Sequence, residues 1–205
     1  MLLCVLSVIL FAAQSSGGFC PSEEGLPSVE RNWDWLTYCD GTPSWITWQG
    51  TYRGTWFHLE DFHPGVEEAW ISCSEFWFYH HNSVWDTSHA YFELWTGEAS
   101  GPGELLDRQS GYALHYAPTY ITYGPPLEVP FDFWTMVNTT FSTGGWPSSL
   151  TDGADLPQPH SFFSDDFVLW EPWEPVGRNS SYFIYVQMNM FSMNSCTWGS
   201  LKTLF

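Results

Sequence analysis

Histidine, aspartate and glutamate are the residues here that could hold an ion or move a proton, and their spacing is poor for either task. His80 and His81 are adjacent, with His89 nearby. Neighbours on a strand point to opposite faces, so His80 and His81 would not share one zinc ion. His58, His63, His115 and His160 are scattered. Asp152, Asp155, Asp165 and Asp166 put carboxylates in turn-rich stretches, which makes them candidates for a weak structural calcium site. No Asp-x-Asp-x-Asp-Gly ligand loop accompanies them. Glu75, Glu93, Asp165, Glu171 and Glu174 are equivalent candidates for a carboxylate pair flanking a glycosidic bond. With 23 acids in the chain, such pairs arise without selection for chemistry. A Gly-x-Ser-x-Gly elbow and a lysine-bearing phosphate loop are both absent from the sequence. The expectation is a protein without catalytic residues and without a bound cofactor, apart from structural calcium.

The surplus is aromatic. The chain has 14 Trp, 16 Phe and 10 Tyr in 205 residues. Trp170 and Trp173 flank Pro172, and Trp146 follows two glycines and precedes Pro147. Indole faces beside carboxylates and amides can stack on sugar rings or hold a protein partner, which makes Trp170, Trp173 and Trp146 ligand-binding candidates. Trp33, Trp35, Trp45 and Trp48 form a second cluster. The competing reading of any of these rings is packing in a core or under a loop. Asn138 and Asn179 open glycosylation sequons.

The formal charge is −18, from five Lys or Arg against 23 Asp or Glu. Such a field repels phosphate backbones and anionic lipid, so nucleic acid is not expected as a partner. The apolar run from Leu2 to Ala13, followed by small residues, reads as a secretory signal over residues 1–17. No later stretch is long and apolar enough to span a bilayer, so a secreted or cell-surface location is expected. Removal of the signal takes Cys4 and leaves Cys20, Cys39, Cys73 and Cys196, an even set suited to two disulfides. Pairing Cys20 with Cys39 and Cys73 with Cys196 is one of three arrangements.

The positioning elements read as short strands. Aromatic and β-branched runs at 44–48, 52–59, 69–79, 90–95, 112–116, 120–123, 133–141, 160–164 and 181–190 alternate with Gly, Pro, Asp and Asn clusters. The turn clusters include Gly124-Pro125-Pro126 and Thr151-Asp152-Gly153. The clearest alternation places Tyr182, Ile184, Val186, Met188 and Met190 on one face. No long 3.6-residue stripe appears, and 14 prolines oppose helices. The expected fold is all-β: a single antiparallel, jelly-roll-like β-sandwich over 34–190. An N-terminal segment (18–33) precedes it, and a C-terminal tail (191–205) with one short helical turn follows.

Several stretches carry a resemblance: Ser74-Glu75-Phe76-Trp77-Phe78-Tyr79-His80-His81, His115-Tyr116-Ala117-Pro118-Thr119-Tyr120, Gly144-Gly145-Trp146-Pro147-Ser148, and His160 to Asp166 with Trp170-Glu171-Pro172-Trp173. Together they resemble a group of uncharacterised secreted bacterial modules, over roughly residues 40–190. The final residues from Thr197 to Phe205 are similar to tails of exported proteins. The resemblance implies a β-sandwich at the cell surface and supplies no catalytic residues. Sequence thus favours a secreted, non-catalytic module that binds carbohydrate or protein. The alternatives are an extracellular polysaccharide hydrolase using paired carboxylates and a calcium-stabilised structural surface protein.

Overall fold

A computed structural model describes residues 33–79 and 84–191. The segment expected to be an export signal, most of the N-terminal segment, Cys20, His80, His81, Cys196 and the tail beyond Phe191 lie outside the described residues. Cys39 and Cys73 are both buried, while the partners expected for them are among those outside.

The chain is all-β and antiparallel, as expected. In order, its strands are β1 (Asp34–Leu36), β2 (Pro43–Thr47), β3 (Tyr52–His58), β4 (Glu68–Trp77), β5 (His89–Thr96), β6 (Leu105–Tyr112), β7 (Pro118–Glu128), β8 (Asp132–Asn138), β9 (Ser149–Asp152), β10 (Ser161–Ser164), β11 (Glu171–Pro172) and β12 (Ile184–Phe191). The two 3-10 turns, Leu59–Asp61 and Pro175–Gly177, are the only helical pieces among the described residues. A four-stranded sheet has the order β1-β12-β4-β7, and a six-stranded sheet β11-β10-β3-β8-β5-β6. β2 and β9 pair separately.

The two large sheets face each other across one core. Ile71, Phe76, Ile121, Val186 and Met188 come from the smaller sheet, and Phe57, Phe92, Leu94, Phe133 and Val137 from the larger. Phe76 and Phe92 meet across the gap with ring centroids 4.9 Å apart. The alternation read along the last strand holds, since Ile184, Val186 and Met188 are buried in this core. Asn189 is buried as well, on the opposite side.

β8 departs from a half-buried strand, because every residue after Asp132 is buried. Its inner side chains, Phe133 and Val137, enter the main core. Its outer ones, Trp134 and Met136, join Trp56 and Phe162 in a second cluster on the far face of the six-stranded sheet. Two-sided cover explains the unbroken run Phe-Trp-Thr-Met-Val. Gly54 makes this second layer feasible on β3, because a Cβ there would lie 2.6 Å from the Cβ of Met136.

Three readings of the strands need correction. The run 112–116 is no strand: β6 ends at Tyr112, and Tyr116 takes φ 51° in the loop that follows. The polar strand β6 occupies 105–112 instead. Gly124-Pro125-Pro126 lies within β7, but the ladder jumps from Cys73 opposite Thr122 to Ile71 opposite Leu127. Prolines lack the N–H a ladder needs, so the chain bulges there. Thr151 and Asp152, read as part of a turn, form the end of β9.

Candidate functional site

The sandwich presents the starts of β3 and β5 and the ends of β8 and β10 at one end, through the pairings Tyr52–Asn138, Tyr91–Asn138 and Ser164–Tyr52. The loops at this end carry Trp48, after β2, and Trp146, between β8 and β9. The two indoles pack with centroids 5.3 Å apart at 32°. Trp48 remains 49% exposed.

A dense hydrogen-bond network fixes these loops. Arg53 is fully buried on β3. Its Nη1 donates to the carbonyls of Gly50 (2.8 Å) and Gly145 (3.0 Å), its Nη2 to the carbonyl of Pro147, and its Nε to Ser149 Oγ (3.0 Å). One guanidinium therefore ties both tryptophan-bearing loops to the sheet. Desolvation lowers its pKa to about 10. Gly145 sits at φ 76°, and a Cβ there would lie 2.2 Å from the Trp48 carbonyl oxygen. Only glycine permits that approach.

The other side of the loop is latched by Asp86. Its carboxylate accepts from Ser142 Oγ (2.7 Å), Thr143 N–H (3.0 Å) and Thr143 Oγ1 (3.1 Å). Desolvation opposes ionisation of Asp86, but these donors outweigh it and hold its pKa below the ordinary value. Ser142 Oγ in turn accepts from the backbone N–H groups of Gly144 and Trp146. At its start the same loop extends the aromatic surface: Phe141 stacks on His89 at 4.0 Å, and His89 on Tyr112 at 5.0 Å.

Trp170 and Trp173 are placed differently. Trp170 packs 5.1 Å from Trp134 and covers the second cluster with Phe167. Trp173 packs against the main core and lies 6.4 Å from Tyr182. Both are half-buried packing rings. Trp146, itself half-buried, is the sequence candidate that packs on the exposed Trp48. Its partner Trp48 was legible only as one of a tryptophan cluster, and Arg53 carried no signal at all.

Among the described residues, no three His, Cys, Asp or Glu side chains group as a metal site. The four aspartates considered for calcium have other partners. Asp152 is buried and accepts from Ser181 N–H, Ser180 Oγ and Asp40 N–H. Asp155 accepts from Asn179 N–H, and Asp165 from Thr51 N–H. Asp166 accepts from Val168 and Leu169 N–H, which hold its pKa low. Both sequon asparagines donate their amides inward, Asn138 to Glu93 Oε1 and Asn179 to the carbonyl of Leu156.

Compared with family models, curated proteins and solved structures, the chain finds no match. Function must therefore be argued from geometry.

A second polar assembly lies where β3 ends. Asp132 Oδ1 accepts from His58 Nδ1 (2.9 Å) and Trp56 Nε1 (3.0 Å). This raises the His58 pKa and leaves its Nε2 facing Glu60 Oε2 at 4.0 Å. A carboxylate-oriented imidazole of this kind can accept a proton, but it faces a carboxylate here and not a nucleophilic hydroxyl. His160 is clamped between Tyr38 (3.5 Å, 17°) and Trp56 (5.0 Å, 10°), with Asp61 Oδ2 3.7 Å from its Nε2. Burial lowers its pKa despite the carbonyl of Trp56 and the charge of Asp61.

The two histidines act on stability with opposite signs. A lowered folded pKa lets the unfolded chain take the proton first, so the His160 contribution is lost as pH falls through its ordinary value of 6.5. His58, with a raised pKa, adds stability at low pH that fades as pH rises through its folded value. Melting temperatures at pH 7.5 and 5.0 check this. The drop on acidification is expected to shrink in His160→Asn and to grow in His58→Gln; the reverse order would refute the assignment.

Proposed function

We propose that this protein is a secreted, non-catalytic β-sandwich that binds carbohydrate or a surface protein outside the cell. One observation carries the reading: Trp48, half exposed, leans on Trp146 across two loops that a buried guanidinium and a carboxylate latch hold in place. Exposed aromatic area on pre-ordered backbone loses little entropy when it meets a ligand. Among the described residues no helix is long and apolar enough to cross a membrane. The charge of −18 favours solubility and disfavours nucleic acid. The apolar run at residues 2–13 and the resemblance read in the sequence favour the same compartment. The calcium-stabilised reading gains less support, since the aspartates named for calcium already accept protein donors.

Binding of the exported protein to immobilised polysaccharides and to a cell-surface protein fraction tests the reading. Wild type is expected to be retained, and Trp48→Ala to lose retention while melting at the wild-type temperature. Equal retention of the variant would overturn it.

A further inference from the structure

We infer that the Trp48–Trp146 end takes an uncharged polysaccharide, gripped through the C–H faces of its sugar rings, and rejects polyanionic glycans. This rests on the binding role proposed above and names its ligand class. Stacking on indole is open to any sugar, so the discrimination comes from the surrounding charge. An acidic glycan needs exposed cations to neutralise its carboxylates or sulfates. Arg53 is the one Lys or Arg of the loops and strand starts described at this end, and it is fully buried. Arg108 of β6, which reaches over the Tyr91 ring, is already paired through Nε with the buried Glu93. Its Nη1, Nη2 and Nε donate to Gly50, Gly145, Pro147 and Ser149. The neighbouring charges are negative: Asp86 latches the Trp146 loop, and Asp165 holds Thr51, three residues beyond Trp48. Among the described residues, a polyanion would meet repulsion at this end, with its nearest cation, Arg108, already paired with Glu93.

A basic polypeptide fits less well than a neutral glycan. The Asp86 carboxylate is spent on Ser142 and Thr143, so pairing it with an incoming cation would unlatch the loop that presents Trp146. Exposed Gln49 and Thr140 suit hydroxyl partners instead. A ring stacked on indole and hydrogen-bonded at its rim by these neutral side chains leaves the Asp86 latch and the Arg53 contacts intact.

Affinity electrophoresis of the exported protein tests this, with cellulose derivatives, xylan, galactomannan, β-1,3-glucan and glycol chitin against polygalacturonate and heparin. At least one neutral polymer is expected to retard the protein equally at low salt and in half-molar sodium chloride. Trp48→Ala and Trp146→Ala should bind it about thirtyfold more weakly, as at a central aromatic contact. Wild-type melting temperatures would show that both variants fold. Retardation by polygalacturonate or heparin, or by no neutral polymer, overturns the ligand class. If Trp48→Ala then still loses retention on a surface-protein fraction, the binding role survives that failure. Retardation by a neutral polymer that neither substitution weakens removes this end as the site.

Discussion

Arg53→Met is expected to lower the unfolding free energy by about 3–5 kcal/mol, the range seen when a buried charge network loses one member. Methionine fills much of the volume but donates nothing. The carbonyls of Gly50, Gly145 and Pro147 and the hydroxyl of Ser149 would lose their donor in one step. Each such group left dry costs roughly 1–3 kcal/mol, less where a loop can relax toward water. Gly50, Pro147 and Ser149 are buried, which limits that relaxation. Arg53→Lys should recover only part of the loss, because three donors on a flexible stem cannot reproduce a planar fork reaching four oxygens. Urea denaturation followed by tryptophan fluorescence measures both variants. A loss under about 1 kcal/mol in Arg53→Met, within the range of ordinary surface substitutions, would mean that the loops hold themselves. Near neutral pH the arginine remains charged, since its pKa of about 10 is still well above 7.

The sequence made some of this fold legible and hid the rest for identifiable reasons. The last strand was readable because a buried face and a bulkier outer face alternate from Ile184 to Met188. β6 was not, because it is an edge strand whose Leu-Leu-Asp-Arg-Gln-Ser-Gly-Tyr is polar on both faces and mostly exposed or half-buried. β9 escaped because its end, Thr151-Asp152, reads with Gly153 as a turn, whereas tertiary contact buries all four of its residues. The aromatic surplus was legible, but its division was not. A Trp-Glu-Pro-Trp segment looks like an exposed ligand loop until a second layer of core is found on the outer face of the larger sheet. That layer absorbs Trp170 and Phe167. Trp146 could be singled out from its glycines, whereas its pairing with Trp48 depends on two loops nearly one hundred residues apart meeting at one end. A lone arginine in a strand reads as exposed. Nothing local reveals that Arg53 points inward at the carbonyls of another loop.

Glu93 on β5 should produce the other large effect. Its carboxylate is fully buried yet accepts three donors: Arg108 Nε (2.9 Å) and Asn138 Nδ2 (2.7 Å) at one oxygen, and Trp95 Nε1 (2.8 Å) at the other. The donors are unequal. Arg108 is 42% exposed and lies over the Tyr91 ring, so water can replace its share of the contact. Asn138 is buried and has no such recourse. Glu93→Gln keeps one oxygen for Arg108 and Asn138 but turns an N–H toward Trp95, for an expected loss of about 1–3 kcal/mol. Glu93→Ala strips all three donors and leaves a cavity, for about 3–5 kcal/mol. Arg108→Ala, which removes only the solvent-accessible partner, should cost under about 1 kcal/mol. Denaturation of the three variants ranks them. If Arg108→Ala costs as much as Glu93→Ala, the ion pair and not the buried Asn138 and Trp95 contacts holds β5 to its neighbours. The order expected here ties the strength of the larger sheet to the buried amide of Asn138. That residue closes β8 immediately before the loop that carries Trp146, so the interior polar contacts and the Trp48–Trp146 pair form one continuous structure.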